Sequence, residues 1–190
     1  MNILLVGVGG QGIILTSKIL SSGLLSIGYD VKMSEIHGMS QRGGTVTTQL
    51  RYGEKVYAPN IGEGEADAIV AFEKLEALRA LPFLKRGGRI FTDDREIYSM
   101  PVLIGAAPYA HDALDAIRAS GAAVTVVPAS RIAASLGNLR VQNTVLLGAL
   151  IRFLDIKDVD WTRFVAGNVP AKAIEVNVKG FEAGYAAAAI

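Results

Sequence analysis

The sequence predicts an α/β protein with a mostly parallel sheet and helices on both faces. Short apolar runs alternate with helical stretches, the order typical of parallel strands joined by crossover helices. The hydrophobic fraction of 51% over 190 residues is enough to fill one core of this kind. We therefore expect a single domain that spans residues 1–190.

The first third of the chain predicts one βαβ unit and an insertion. Residues 2–6 form an apolar strand, residues 12–27 a helix and residues 31–36 a second strand. Residues 45–52 alternate between apolar and polar side chains, as in a strand buried on one face. Gly53 and Glu54 suit a tight turn, so we expect residues 55–58 to return as a hairpin after the second strand.

The same alternation continues to the last helix. Strands are predicted at residues 67–72, 89–93 and 124–127, and helices at 73–84, 112–120, 131–136 and 138–154. Asn168 and Pro170 are typical of a helix start. The helix that follows has an apolar stripe, which predicts docking onto this domain's own core or onto another subunit.

Composition and charge exclude several classes of protein. The chain has 19 Lys and Arg against 18 Asp and Glu, so a nucleic acid is not an expected partner. It has no cysteine, which excludes disulfides, a thiolate nucleophile and an iron–sulfur cluster held by its own thiolates. No leader peptide or bilayer-spanning stretch is recognisable. We expect a cytoplasmic protein without a membrane segment.

A glycine-rich loop is the first candidate site. Gly7, Gly9, Gly10, Gln11 and Gly12 lie directly after the first strand and before the first helix. Glycines at such a position permit close approach of a ligand, and the N–H groups at a helix start attract anions. The pattern is also that of a Rossmann-like dinucleotide site, with Glu35 as the candidate ribose ligand. Close packing of helix on strand is the alternative explanation for the glycines.

A second polar loop follows the second strand. His37, Ser40, Gln41 and Arg42 concentrate donors, acceptors and one fixed positive charge in residues 37–44, which also contain three glycines. Because both loops follow the carboxyl ends of strands, we expect them to meet at one edge of the sheet. Arg42 is suited to bind a carboxylate or a phosphate. His37 has two interpretations, a structural hydrogen bond or proton transfer.

Other combinations of residues are weaker. His111 has only Asp112 as a nearby ligand type, so no metal site is expected. Asp93, Asp94 and Glu96 follow a predicted strand and are interpreted as solvated surface acids.

Several motifs together resemble a known enzyme family. The sequence is similar to the gamma-type subunit or domain of 2-oxoacid:ferredoxin oxidoreductases, and above all to the beta subunit of indolepyruvate ferredoxin oxidoreductase. The motifs that carry the resemblance are Gly7-Val8-Gly9-Gly10-Gln11-Gly12, Ser34-Glu35-Ile36-His37-Gly38-Met39-Ser40-Gln41-Arg42-Gly43-Gly44, residues 62–67, residues 76–79, residues 137–143 and residues 147–150.

The resemblance implies a reaction and a division of labour. Enzymes of this family decarboxylate a 2-oxoacid oxidatively with coenzyme A, giving an acyl-CoA, CO₂ and reduced ferredoxin. It implies that thiamine diphosphate, Mg and the iron–sulfur clusters lie in a large alpha subunit. This chain would be the subunit without cofactors, inactive alone, within a heteromeric complex that passes electrons to ferredoxin.

The resemblance leaves the substrate and the role of the loops open. Indolepyruvate is the expected 2-oxoacid, with a gamma subunit of a 2-oxoglutarate or pyruvate enzyme as the alternative. A self-sufficient dinucleotide-binding oxidoreductase is a further alternative. We expect Gly7, Gly9, Gly10, Gln11 and Gly12 to hold an anion such as a coenzyme A phosphate. His37, Ser40, Gln41 and Arg42 are expected to line the cleft near the thiamine.

Overall fold

In the computed structural model, residues 1–37 and 44–188 are described, without the side chains of His37 and Pro101. The strands in this part of the chain are β1 (Asn2–Val8), β2 (Asp30–His37), β3 (Thr45–Gly53), β4 (Ala66–Ala71), β5 (Leu84–Thr92) and β6 (Ala123–Val126). The α-helices are α1 (Ile13–Ser26), α2 (Lys74–Ala80), α3 (Met100–Leu103), α4 (Ala113–Ala119), α5 (Ala129–Ser135), α6 (Gln142–Leu154), α7 (Trp161–Gly167) and α8 (Ile174–Ala187).

The strands form one sheet in the order β2-β3-β1-β4-β5-β6. Strands β1, β4, β5 and β6 are mutually parallel, while β3 runs antiparallel to both of its neighbours. The predicted α/β class with a mostly parallel sheet is confirmed.

Helices cover both faces of the sheet, as predicted. Strand β1 sends Ile3 and Leu5 into one apolar core with α1, α5, α6, α7 and α8. It sends Leu4 and Val6 into a second core with α2 and α4. This burial on two sides explains why β1 is a continuous apolar run, whereas β3 alternates.

The insertion after β2 differs in detail from the prediction. Residues 55–58 form no strand, so the predicted return arm is wrong. The hairpin is instead made by β2 and β3, and β3 enters the sheet between β2 and β1. Val56 N–H donates to Asp30 Oδ2 over 2.9 Å, which holds the chain after β3 against the start of β2.

Two helix boundaries also differ from the prediction. Asn168 does not begin the last helix but ends α7, a helix that the sequence pattern did not predict. Its Nδ2 donates to the Phe164 carbonyl over 2.9 Å. Pro170 precedes a short 3₁₀ turn, and α8 begins only at Ile174.

Helices α6 and α8 pack with their backbones in close approach. A Cβ at Gly148 would lie 2.0 Å from the Phe181 carbonyl oxygen, and one at Gly184 would lie 1.8 Å from the Val145 carbonyl oxygen. Residues 142–151 of α6 are all buried. The last helix therefore docks onto this domain's own core, the first of its two predicted roles.

We expect Gly148→Ala to lower the free energy of unfolding by about 2–4 kcal/mol, because the new methyl group forces the two helices apart. Urea denaturation monitored by circular dichroism measures this loss. Gly167→Ala is the matched control, since a Cβ at this position at the end of α7 meets nothing within 4 Å. An unchanged midpoint for Gly148→Ala would contradict the close packing.

Candidate functional site

The glycine loop and the loop that follows β2 meet at the carboxyl edge of the sheet. Gly9 N–H donates to the Gly44 carbonyl over 3.0 Å, at the point where the second loop enters β3. The predicted meeting of the two loops is therefore confirmed at their described ends. Ser40, Gln41, Arg42 and the side chain of His37 lie outside the described residues.

Two of the loop glycines are required by packing inside the domain. A Cβ at Gly7 would lie 2.7 Å from Gln11 Oε1 and 2.9 Å from Phe72 Cβ. Gly12 has φ +82°, and a Cβ there would lie 2.5 Å from Asn143 Nδ2. The packing explanation therefore holds at these two positions, where helices α1 and α6 and strand β4 come together.

Gly10 is different, because no described residue packs against it. Its φ is +97°, and a Cβ there would meet no atom of residues 1–37 or 44–188 within 4 Å. In the described part of the chain, no side chain caps the start of α1. The loop thus presents a bare backbone beside the positive end of a 14-residue helix, which is the arrangement that attracts an anion.

Two glutamine side chains bridge the ends of neighbouring strands at this edge, Gln11 between β1 and β4 and Gln142 between β4 and β5. Gln11 Oε1 accepts from the Val8 N–H over 2.7 Å, and its Nε2 donates to the Phe72 carbonyl over 2.6 Å. Gln142 Nε2 donates to the same carbonyl over 2.8 Å and to Asp93 Oδ2 over 2.9 Å. We call Gln11, Phe72, Asp93, Ser130 and Gln142 the edge network.

Asp93 is the charged member of the edge network. It is fully buried, so its interpretation as a solvated surface acid is wrong. Its carboxylate accepts from the Ser130 N–H over 2.8 Å and from the Ser130 hydroxyl over 3.2 Å. Burial raises the pKa of Asp93 from 3.8 to about 6, although the hydrogen bonds from Ser130 oppose this rise.

The same geometry argues against a dinucleotide site. Helices α1 and α2 leave β1 and β4 toward opposite faces, and a doubly wound fold would bind its nucleotide in the crevice between these strands. Here the Gln11 side chain bridges the ends of these two strands by hydrogen bonds to Val8 and Phe72. Glu35 lies on β2 opposite Thr48, and β3 separates it from β1. It is therefore one strand further from the glycine loop than a ribose ligand would be.

A second polar cluster surrounds the start of α2. Glu73 Oε2 accepts from the Glu76 N–H over 2.9 Å and caps the helix, while Glu73 Oε1 accepts from the Tyr109 hydroxyl. Burial and this bond to Glu73 raise the pKa of Tyr109. We call Glu73, Lys74, Glu96, Tyr109 and His111 the α2 cluster.

The α2 cluster also contains an ion pair whose lysine is buried. Lys74 is 8% exposed, pairs with Glu96, and donates to the His111 carbonyl over 2.9 Å. His111 Nδ1 lies 3.0 Å from Glu96 Oε1, the same oxygen that Lys74 contacts. The hydrogen bonds from Lys74 and then from His111 lower the pKa of Glu96 to about 2. Glu96 is thus a paired acid and not a free surface carboxylate.

A groove of about 220 Å³ separates α2 from the half-exposed face of β3. Thr45, Thr47 and Gln49 form one wall, and Glu76 and Arg79 the other. Arg79 donates to Glu76 Oε1 over 2.6 Å, and the Thr45 hydroxyl donates to the same oxygen over 3.3 Å. The carboxylate of Glu76 therefore ties the start of β3 to α2, and burial raises its pKa.

Over residues 1–37 and 44–188, no three His, Cys, Asp or Glu side chains are grouped so that they could hold a metal ion. None of the described helices has the length and apolar character needed to cross a bilayer.

Comparison with known proteins identifies the family. Residues 2–187 match the family model for pyruvate ferredoxin/flavodoxin oxidoreductase. The chain belongs to this family. It is 39% identical to the indolepyruvate oxidoreductase subunit IorB of Thermococcus kodakarensis, over 98% of this chain and 95% of that protein.

Two solved structures share the fold. The gamma subunit of a keto/oxoacid ferredoxin oxidoreductase from Geobacter sulfurreducens matches with a TM-score of 0.71 and 23% identity, over 98% of this chain and 97% of that one. A 2-oxoglutarate:ferredoxin oxidoreductase from Magnetococcus marinus, with coenzyme A and succinyl-CoA bound, matches with a TM-score of 0.76 and 21% identity. That match covers 99% of this chain and 31% of the longer one.

Sequence reasoning missed the residues that complete the edge in this family member. Gln142 and Asn143 were noted only as part of residues 137–143, one of the segments that carry the family resemblance, and were given no role at the site. Two adjacent amides at the start of a helix that is otherwise apolar on all sides are a usable signal, because buried amides need partners. Glu73 and Tyr109 gave no comparable signal, since they are 36 residues apart.

The edge network predicts a pH dependence of stability. The raised pKa means that folded Asp93 binds more protons than unfolded Asp93 between pH 3.8 and about 6. Its contribution to stability therefore falls as the pH rises through this window. Asp93→Asn removes the titration, so the stability difference between variant and wild type should change by roughly 1–3 kcal/mol across it.

Urea denaturation at closely spaced pH values measures this difference. Asp158→Asn, at an exposed acid, is measured alongside as the matched Asp→Asn control. A constant difference for Asp93→Asn would mean that the buried carboxylate does not titrate as described.

Proposed function

We propose that the chain is the cofactor-free subunit of a 2-oxoacid:ferredoxin oxidoreductase whose substrate is an aryl pyruvate, most specifically indolepyruvate. The observation that supports this choice is the 39% identity, along nearly the whole chain, to a protein named as an indolepyruvate oxidoreductase subunit. A gamma subunit of a pyruvate or 2-oxoglutarate enzyme is the second candidate, supported by the pyruvate family model.

The proposal assigns the redox cofactors to a larger partner subunit. This chain has no cysteine, so it has no thiolate for an iron–sulfur cluster. Its sequence also has no Gly-Asp-Gly stretch of the kind that the resemblance associates with thiamine binding. Thiamine diphosphate, Mg and the clusters would therefore belong to the partner, which would pass electrons to ferredoxin. We retain the cytoplasmic location expected from the sequence.

This chain would contribute an anion-binding edge to the shared active site. Gly10 and the uncapped start of α1 offer backbone N–H groups to a coenzyme A phosphate or to a carboxylate of the partner. Gly9 and Gly44 join the glycine loop to the loop that carries His37, Ser40, Gln41 and Arg42. In the proposed complex, these side chains line the cleft, and Arg42 supplies the positive charge. Gly7, Gln11 and Gly12 hold the loop in shape.

A reconstitution assay tests the proposed function. We expect no 2-oxoacid-dependent reduction of ferredoxin by this chain alone, and activity when it is co-expressed with its larger subunit. Indolepyruvate should give the highest kcat/KM when compared with 2-oxoglutarate and pyruvate. Turnover by the isolated chain without thiamine diphosphate would refute the subunit role, and a preference for pyruvate or 2-oxoglutarate would select the second candidate.

A pair of substitutions at Gly10 tests the anion site in the assembled complex. Gly10→Asp places a negative charge beside the start of α1, whereas Gly10→Asn has nearly the same shape without the charge. We expect the KM for coenzyme A to be about tenfold higher in the Asp variant than in the Asn variant, because the added charge repels the phosphate.

Arg42→Ala should raise the same KM or weaken subunit association. Equal KM values for the Asp and Asn variants, together with an Arg42→Ala complex that binds coenzyme A and assembles normally, would exclude this edge as the anion site.

A further inference from the structure

The segment between β5 and α4 exposes a compact group of large apolar side chains. Met100, Leu103 and Ile104 are 66%, 63% and 70% exposed. From Ile97 to Ala110 there is no Asp, Glu, Lys or Arg, although such residues make up 19% of the chain. We call residues 97–110 the apolar loop. Exposed apolar groups of this kind usually mark a surface that another molecule covers.

The apolar loop has a defined shape despite its exposure. Leu103 N–H donates to the Ser99 carbonyl over 3.0 Å, and Ile104 N–H donates to the Met100 carbonyl over 3.1 Å. These bonds form α3, the single helical turn that presents the exposed side chains. Gly105, with φ +73°, ends the turn.

The base of the apolar loop is fixed to α2. The Tyr98 and Tyr109 rings, from the two ends of the loop, pack with their centroids 5.0 Å apart. The Tyr98 hydroxyl donates to Glu96 Oε2 over 2.9 Å, and the Tyr109 hydroxyl donates to Glu73. The α2 cluster, with its buried Lys74, thereby holds both ends in place.

We propose that the apolar loop is a docking surface for the larger subunit of the complex, which contacts it through an apolar, uncharged patch. This inference rests on the proposed function, which supplies the partner. Because the whole loop lacks charged residues, we expect the partner's surface to be apolar and uncharged as well. The buried centre of a permanent interface is depleted of charged residues in the same way. The location suits a shared site, since the loop leaves the sheet at the same carboxyl edge as the glycine loop.

A membrane surface fits the same loop less well. Segments that lie in a membrane interface combine apolar side chains with Lys or Arg on their polar face. The apolar loop has neither residue, and Lys74 at its base is buried and paired with Glu96.

The α2 cluster gives the docking surface its rigidity. A loop that is already ordered loses less conformational entropy when it binds, so its affinity is higher than that of a flexible loop with the same side chains. This accounts for the presence of a Lys–Glu pair with a buried lysine, and of a buried Tyr–Glu hydrogen bond, at the base of an exposed loop.

Affinity between this chain and its tagged larger subunit, co-expressed or mixed, tests the proposal. Leu103→Glu and Ile104→Glu should each weaken association by about tenfold or more, as expected for residues at the centre of an interface. The milder Leu103→Ser and Ile104→Ser should weaken it to a smaller extent. Leu25→Glu is the matched control, because Leu25 is 56% exposed near the other end of α1. It should leave association unchanged.

Thermal melting of each variant separates lost docking from lost folding. If the Glu variants unfold, the Ser variants decide. Tyr109→Phe, which removes the bond to Glu73, should slow association or weaken it while α3 keeps all its side chains. Normal affinity in folded Leu103 and Ile104 variants would overturn the proposal.

Two further measurements distinguish other occupants of the loop. Light scattering of the isolated wild-type chain would reveal a dimer, and co-sedimentation with phosphatidylglycerol vesicles would reveal membrane binding. The proposal would be overturned if Ile104→Glu abolished the dimer or the membrane binding while association with the larger subunit stayed normal. A wild-type chain that fails to assemble with the larger subunit would instead refute the proposed function itself. If the wild-type chain assembles and turns over substrate, and the Leu103 and Ile104 variants bind the larger subunit with normal affinity, only the docking surface is refuted.

Discussion

The carboxyl edge of the sheet depends on the two hydrogen bonds that the side-chain amide of Gln142 donates. It donates to the carbonyl of Phe72 after β4 and to the carboxylate of Asp93 after β5, while Gln11 joins the same carbonyl to the end of β1. Three strand ends and helix α6 are thus fixed together by hydrogen bonds that are buried at Gln142 and partly buried at Gln11. Because a buried amide that loses its partners is costly, this network specifies one arrangement of the edge.

The hydrogen bonds across the crevice have a direct consequence for function. Gln11 ties the ends of β1 and β4 together, and among the described residues of this edge Gly10 and the start of α1 remain open to a ligand. In the proposed complex, the chain would offer an anion-binding backbone at this position. Such a surface would be incomplete alone and suits an active site whose chemistry is supplied by a partner. The proposed docking surface, the apolar loop, is held by the α2 cluster at the same edge.

The sequence predicted those features that local patterns encode. Strand β1 and helix α6 were predicted because burial on all sides leaves a continuous apolar run, and β3 because burial on one side leaves an alternating one. The insertion of β3 between β2 and β1 was not predicted, because the apolar pattern of a strand does not determine which strands it pairs with. The burial of Asp93 was missed because Ser130 and Gln142 are 37 and 49 residues away in the chain.

A calorimetric titration of the isolated chain with NAD, NADP and FAD at millimolar concentration tests most directly whether the crevice between β1 and β4 is closed to a dinucleotide. We predict no saturable binding of any of the three, because Gln11 bridges the ends of β1 and β4 and because β3 separates Glu35 from β1. Saturable binding that is lost on substitution of Glu35 would contradict this view and restore a self-sufficient dinucleotide-binding oxidoreductase.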